Sequence, residues 1–233
     1  MLSRFYKLFP PSVSPKLALS LGVGLLAQIG YWYLGSPGPT LLYSAQRTLG
    51  NALINIGWAL VLLLAVPLLL LAMVKSRHRV HFGVGNWQLG LPLTLGLGLA
   101  LTFLMYLGSS DSSLQGTYPW PGAWAGQSIG TFALWGGLYA LYYVAFEFFY
   151  RGFLIVLLRD DWGLAAAVWV QVLLSTLIHL GKPLSETLAA FPAGFLFAFL
   201  ALRTRSLLWP ILLHLCIGLA TDYFSLWQQG WLG

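Results

Sequence analysis

The sequence predicts an all-α membrane protein, a polytopic bundle of about seven transmembrane helices with a cytoplasmic N-terminus. Of its 233 residues, 58% are hydrophobic and 8% are charged, whereas a soluble domain has about 25% charged residues. The apolar runs are each about 20 residues long, the length that a helix needs to cross the hydrocarbon of a bilayer. The sequence lacks the alternating segments of about ten residues that are typical of a transmembrane β-barrel.

The first apolar run begins after a short basic lead and has the position of a signal peptide. It is longer than a typical signal-peptide core and lacks a clear A-x-A cleavage site, so we expect an uncleaved helix. Prolines, glycines or charged residues separate this run from the later ones. The seven helices are predicted near residues 17–34, 51–74, 89–107, 130–158, 164–180, 186–202 and 207–227. We expect them to form a single integral membrane domain over residues 1–233.

The basic residues orient the predicted helices. With the N-terminus inside, nine of the twelve lie on the cytoplasmic side: Arg4, Lys7, Lys16, Lys75, Arg77, Arg79, Arg159, Arg203 and Arg205. Arg47 and Lys182 lie outside, which agrees with the positive-inside rule. The net charge of +6 is scattered between helices, so it indicates contact with anionic membrane lipid rather than with nucleic acid. Without a eukaryotic targeting signal, a bacterial or archaeal plasma membrane is the predicted location.

Four ionisable side chains lie within the predicted apolar helices: Glu147, Arg151, His179 and His214. Charged groups in a membrane are costly unless they pair or have a function. Glu147 precedes Arg151 by four residues, an order that favours an ion pair on one helix face, and we expect Arg151 to orient the carboxylate. Singly, each residue could be structural, because polar side chains also join transmembrane helices. Together, on three helices, they predict one shared polar cavity.

Two further acidic residues and two further histidines are predicted to have no catalytic role. Glu186 and Asp222 are predicted at the outer ends of their helices, at the membrane interface. His78 and His81 fall in the basic loop, where we expect them to be solvated.

The predicted polar set is suited to hydrolysis of a peptide bond. A carboxylate with a neighbouring histidine can take a proton from water and give it to a leaving amine, and a second histidine can donate to the oxyanion. A zinc site is the rival interpretation, since two histidines and a glutamate also bind hydrolytic zinc. The sequence lacks the H-E-x-x-H signature, and the only cysteine, Cys216, cannot form a disulfide framework. We therefore predict neither metal nor cofactor.

Three motifs occur in order along the second half of the chain. They are Glu-Phe-Phe-Tyr-Arg-Gly-Phe-Leu from Glu147, a helix that ends in His179, and Leu-Trp-Pro-Ile-Leu-Leu-His ending at His214. Their order and spacing resemble the CPBP (Abi) family of CAAX-processing and bacteriocin-processing intramembrane endopeptidases. The resemblance covers a core of roughly residues 85–220.

The resemblance implies roles for these residues. The family pattern is Glu-Glu-x-x-x-Arg, then Phe-x-x-x-His, then His-x-x-x-Asn. In it the first Glu and first His activate water, while the second His and the Asn bind the oxyanion. Carried over, Arg151 matches the Arg, His179 and His214 match the two histidines, and Glu147 matches the second Glu.

This sequence departs from the family pattern at three positions. Phe146 stands at the first Glu, Ser175 at the Phe of the second motif, and Gly218 at the Asn. Two of the family's chemical groups are therefore replaced. Either Glu147 takes over as the catalytic base, or the protein is a non-catalytic relative.

The sequence thus predicts an intramembrane, glutamate-dependent endopeptidase with Glu147, His179 and His214 as its catalytic residues. Its substrate would be a peptide bond in a membrane-associated protein or peptide, with a C-terminal processing or sorting tail as one candidate. The alternative is an inactive CPBP-like membrane protein that acts as an immunity or accessory interaction factor.

Overall fold

The fold is entirely helical in the part of the chain that the computed structural model describes, namely residues 14–35, 46–73 and 79–232. The helices are α1 (Pro15–Gly35), α2 (Leu49–Met73), α3 (Trp87–Gly108), α4 (Ser112–Thr117), α5 (Ile129–Glu147), α6 (Ile155–Leu177), α7 (Leu184–Thr204) and α8 (Leu208–Gln228). A π-helical segment, Leu60–Ala65, lies within α2, and another, Phe148–Leu154, joins α5 to α6. The predicted all-α class is confirmed.

Five described helical segments are long and apolar enough to cross a membrane: Leu49–Met73, Trp87–Gly108, Ile129–Leu177, Leu184–Thr204 and Leu208–Gln228. The third has 49 residues, which as a straight helix would be about 70 Å long, more than twice the hydrocarbon thickness. It is interrupted at Gly163, which has a positive φ of 80° and ψ of 165°.

Contacts with Gln28 of α1 show that the chain reverses at Gly163. The Tyr150 hydroxyl donates to Gln28 Oε1 at 3.2 Å, and Gln28 Nε2 donates to the Leu174 carbonyl at 3.3 Å. Residues on both sides of Gly163 therefore lie at one level of the bundle. The segment forms two crossings, as predicted from the 130–158 and 164–180 runs.

The central part of the hairpin made by α5, the π-helical segment and α6 is enclosed by the other helices, whereas its outer parts expose side chains such as Leu134 and Trp169. In its most apolar window 89% of residues are buried, compared with 11% in α3. All seven residues of the Phe148–Leu154 segment are buried. α3 instead exposes apolar side chains such as Leu99, which suits a lipid-facing surface. The charged residues of α5 and the π-helical segment therefore lie inside protein rather than against lipid.

Six of the described basic residues divide between two ends of the bundle. Arg47 donates to the Tyr118 carbonyl at 2.8 Å, and Lys182 donates to the Tyr118 hydroxyl at 3.1 Å, so these two share one end. Four others line a single cavity at the opposite end: Arg79, Arg159, Arg203 and Arg205. This division matches the one that the sequence predicted, while the inside position of the N-terminus stays a prediction. Arg4, Lys7, Lys75, Arg77 and His78 lie outside the described residues.

Close packing between α3 and α8 depends on glycine. A Cβ at Gly90 would lie 2.2 Å from the Trp209 ring, and one at Gly98 would lie 3.5 Å from Cys216 Sγ. Gly96, on the same helix, has nothing within 4 Å of its Cβ position. Of the three glycines in the predicted third helix, Gly90 is the one whose close approach requires the absence of a side chain, because 3.5 Å is an ordinary contact distance for a Cβ at Gly98.

Gly90→Ala should destabilise the protein by about 1–3 kcal/mol, because the added methyl group overpacks the Trp209 ring. Gly96→Ala is the matched control on the same helix, and it should be neutral or stabilising by up to about 1 kcal/mol, since it lowers only backbone freedom. Thermal unfolding in detergent measures both. Equal melting temperatures for the two variants would contradict the packing observed at Gly90.

Candidate active site

The two predicted histidines line one cavity of about 340 Å³. His214 lies on α8 and His179 lies two residues beyond the end of α6, so the cavity is formed where these helices meet α3, α5 and α7. Glu147 and Arg151 do not line it. The four residues therefore do not all line one cavity, contrary to the sequence prediction. The two histidines lie at the cavity surface, and the Glu147–Arg151 pair lies behind His214.

The His214 ring is held by a buried ion-pair chain. His214 Nδ1 lies 2.6 Å from Glu147 Oε1, and Arg151 Nη1 donates to the same oxygen at 3.3 Å. Glu147 is fully buried and Arg151 is 5% exposed. The i, i+4 pair therefore forms as the sequence predicted, and the carboxylate also accepts from the imidazole. With Nδ1 bonded to Glu147, Nε2 is the nitrogen of His214 that remains for a substrate.

Local helix geometry places these groups. Glu147 is the last residue of α5, and Arg151 lies in the π-helical segment that follows it. Such wide turns inside α-helices occur frequently at functional sites. The change in helical pitch directly after Glu147 shifts the side chains that follow relative to those of a regular helix.

His179 is fixed in one tautomer by the end of its own helix. Its Nδ1 lies 2.7 Å from the Ser175 carbonyl, which can only accept, so Nδ1 carries the proton. Burial, aided by the nearby Lys182 cation, lowers the pKa of His179 from 6.5 to about 3. The imidazole is therefore neutral at neutral pH, and its Nε2 has a lone pair that can accept a hydrogen bond.

Glu186 is the partner of His179, and the sequence interpretation missed it. Its Oε1 lies 3.8 Å from His179 Nε2. The Tyr118 hydroxyl donates to Glu186 at 2.7 Å and Lys182 Nζ at 2.8 Å. The carboxylate was interpreted as interfacial, but it lines the cavity. The short connection between α6 and α7 brings the first turn of α7, which contains Glu186, back against His179. The shortness of this connection is the feature of the sequence that could have predicted the contact.

The departures from the family pattern have structural counterparts in the cavity. The Phe146 ring lies between the histidines, with its centroid 6.1 Å from that of His179 and 5.3 Å from that of His214. A Cβ at Gly218 would lie 2.2 Å from the Tyr143 hydroxyl oxygen, so that hydroxyl fills the space of a side chain at this position. Tyr143 also stacks near His214, with ring centroids 4.2 Å apart.

Asp222 differs from its sequence interpretation as well. It was assigned to the interface, but it is fully buried and accepts a hydrogen bond of 2.6 Å from Trp135 Nε1. It does not line the histidine cavity. Its contact joins α8 to α5, which is a structural role. His81 is exposed, as expected.

No cluster of three or more potential metal ligands occurs among the residues that the structure describes. The histidines instead form two separate pairs, His179 with Glu186 and His214 with Glu147. The absence of a metal stays a prediction.

The fold and cavity define a polytopic membrane protein with a polar site enclosed by its helices. Residues 127–220 match a family model described as type II CAAX prenyl endopeptidase Rce1-like. This confirms the resemblance to the CPBP family over these residues, which include both histidines and the Glu147–Arg151 pair. The predicted core began earlier, near residue 85. No curated protein and no solved structure matches the chain.

Arg151→Ala should destabilise the protein by about 3–5 kcal/mol, because it leaves Glu147 as a buried charge without its guanidinium partner. Arg203→Ala is the control, since that arginine is exposed on α7 and its loss should change stability by about 0.5 kcal/mol or less. Thermal unfolding and expression level measure both variants. Similar behaviour of Arg151→Ala and Arg203→Ala would contradict the role of the pair.

Proposed function

We propose that this protein is an intramembrane endopeptidase that hydrolyses a peptide bond of a membrane-associated protein or peptide without a metal. The observation that carries the proposal is the single cavity on which two histidines open, each with its own carboxylate partner. The Rce1-like match over the same residues supports protease activity. Neither a serine nor a cysteine nucleophile is required, since water is the attacking group.

Water activation is assigned to His179 with Glu186. The distance of 3.8 Å between Nε2 and Oε1 is too long for a direct hydrogen bond, and both atoms are acceptors when His179 is neutral. A water molecule between them can donate to both and lose one proton to this pair as it attacks the carbonyl carbon. The same pair can then protonate the leaving amine, so that water and the peptide become an acid and an amine.

In this proposal Glu186, on α7, supplies the carboxylate that the family's first Glu would provide at the position of Phe146. Glu147, the base predicted from the sequence, lies behind His214 and away from the cavity surface. Its geometry supports a positioning role, because it orients the ring and stabilises the imidazolium form. As an imidazolium, His214 can donate from Nε2 to the oxyanion, and the Tyr143 hydroxyl can serve as a second donor in place of the family's Asn.

The walls of the cavity favour an apolar substrate segment. They are formed largely by small or aliphatic side chains: Leu104, Met105, Leu114, Ala189, Ala190, Ala193 and Ile217. A hydrophobic peptide in or at the membrane fits these walls, and a C-terminal processing or sorting tail is one such segment. A bacterial or archaeal plasma membrane remains our proposed location.

Glu186→Gln should lower turnover by at least about 100-fold, because the amide keeps the shape and removes the basicity. Glu147→Gln should lower turnover to a smaller extent, through His214. The assay uses the full chain in liposomes with fluorogenic peptides that have hydrophobic C-terminal tails, both farnesylated and unmodified. Asp111→Asn is the matched control, since this carboxylate lines the same cavity but its bonds go to Ser113 and Ser185.

Full turnover by Glu186→Gln together with loss in Glu147→Gln would return the role of base to Glu147. Full turnover by both variants would reject a carboxylate base altogether. No cleavage of any peptide by the unaltered protein, with its cellular effect intact, would favour the inactive interaction factor.

Tyr143→Phe should lower kcat by about 100-fold with little change in KM, because removal of one oxyanion donor affects the transition state rather than substrate binding. Thr221→Val is the control, as it removes a hydroxyl that lines the same cavity but donates to the Ile217 carbonyl of its own helix. Initial rates in the liposome assay give both parameters. An equal effect of the two substitutions would argue against Tyr143 as a donor.

A further inference from the structure

A second cavity, of about 710 Å³, lies at the opposite end of the bundle from Tyr118 and Lys182. For a membrane protein with so few charges its lining is unusually rich in arginine, with Arg79, Arg151, Arg159, Arg203 and Arg205, and it also includes His81. Within the described residues, the ion pairs involve only Arg151 of this set. Among the described residues, no aspartate or glutamate lines the cavity beside the other four arginines.

Backbone hydrogen bonds hold these like charges together. The segment before α3 is fixed on the turn between α7 and α8, where Leu207 N donates to the His81 carbonyl at 2.9 Å and Asn86 N donates to the Thr204 carbonyl at 2.8 Å. The Trp209 indole also donates to the Val84 carbonyl at 2.8 Å. Arg79 is thereby held near Arg203 and Arg205. These hydrogen bonds keep the arginines close together although their positive charges repel one another. A bound anion would relieve that repulsion, so the site is preorganised for an anion.

The rest of the lining is largely apolar. Its aliphatic side chains are Val80, Ile155, Val156, Leu164, Leu202 and Leu207, with Gly152, Ala201 and Ser206 beside them. A soluble anion would use only the cationic part of such a cavity, whereas a lipid has both a charged phosphate and an acyl chain. Basic pockets between transmembrane helices on the cytoplasmic side are suited to anionic lipid head groups. The sequence predicts that these arginines face that side, where anionic lipids are abundant.

We propose that this cavity binds the phosphate of an anionic membrane lipid, with the acyl chain along its apolar wall. Arginine is suited to this ligand because its guanidinium can bind a phosphate through two parallel hydrogen bonds. Arg151 forms the inner end of the cavity, and its Nε is buried without a hydrogen-bond partner. The same side chain contacts Glu147, so the lipid site and the histidine cavity share one ion pair.

The experiment measures binding to the purified full chain in neutral detergent, by native mass spectrometry and by ligand-dependent thermal stabilisation. The probes are phosphatidylglycerol, phosphatidylcholine, soluble glycerol phosphate and inorganic phosphate. Arg159→Gln should weaken phosphatidylglycerol binding by about tenfold, the effect of losing one charge-assisted hydrogen bond. Arg203→Gln provides a second test at an exposed position. Arg47→Gln is the control, because it removes the same charge at the other end of the bundle.

The expected result is that phosphatidylglycerol binds better than the other three probes and that only the two cavity variants weaken it. Equal binding of phosphatidylcholine would overturn the proposal, because the anionic head group would then be irrelevant. Equal binding of glycerol phosphate or inorganic phosphate would overturn it by excluding the acyl chain. An equal loss in Arg47→Gln would reduce the effect to attraction by overall charge, and unchanged binding in both cavity variants would place the lipid elsewhere.

Discussion

The buried chain from Arg151 through Glu147 to His214 is the interaction on which the rest of the structure depends. A carboxylate that is fully shielded from water is tolerated only when charged or polar partners compensate its desolvation. Arg151 and His214 provide that compensation from the π-helical segment and from α8, at 3.3 and 2.6 Å. The central hairpin and the last helix are therefore tied together at the level where the two cavities approach each other.

The two histidines of the cavity have different hydrogen-bond partners at Nδ1. His214 has its Nδ1 against the Glu147 carboxylate, which stabilises a positive charge on the ring whenever a proton is added. His179 has its Nδ1 on a neutral carbonyl, and burial with the neighbouring Lys182 lowers its pKa to about 3. One imidazole therefore faces a carboxylate and the other a neutral carbonyl, so their surroundings differ in how strongly they stabilise a positive charge. In the proposed mechanism this difference separates the ring that donates to the oxyanion from the ring that, together with Glu186, takes the proton from water.

Where the sequence departs from the family pattern, other helices place similar chemical groups in the same cavity. Phe146 fills the space between the histidines, while Glu186 reaches His179 from α7. The Tyr143 hydroxyl occupies the volume beside Gly218. A carboxylate and a polar donor are therefore still present in the cavity, though on other helices. The proposed reassignment of the base follows from this geometry, and the Rce1-like match supports the general class of reaction.

The sequence by itself determined the helical membrane class, the Glu147–Arg151 pair and the two histidines, because hydropathy and i, i+4 spacing are local properties. It also indicated the reversal near Gly163. Only the tertiary structure decided that Glu186 faces His179 and that Glu147 lies behind His214. Both depend on how α6, α7 and α8 pack and rotate, and no periodicity within one helix contains that information. Asp222 shows the same limit, since its burial depends on Trp135 of another helix.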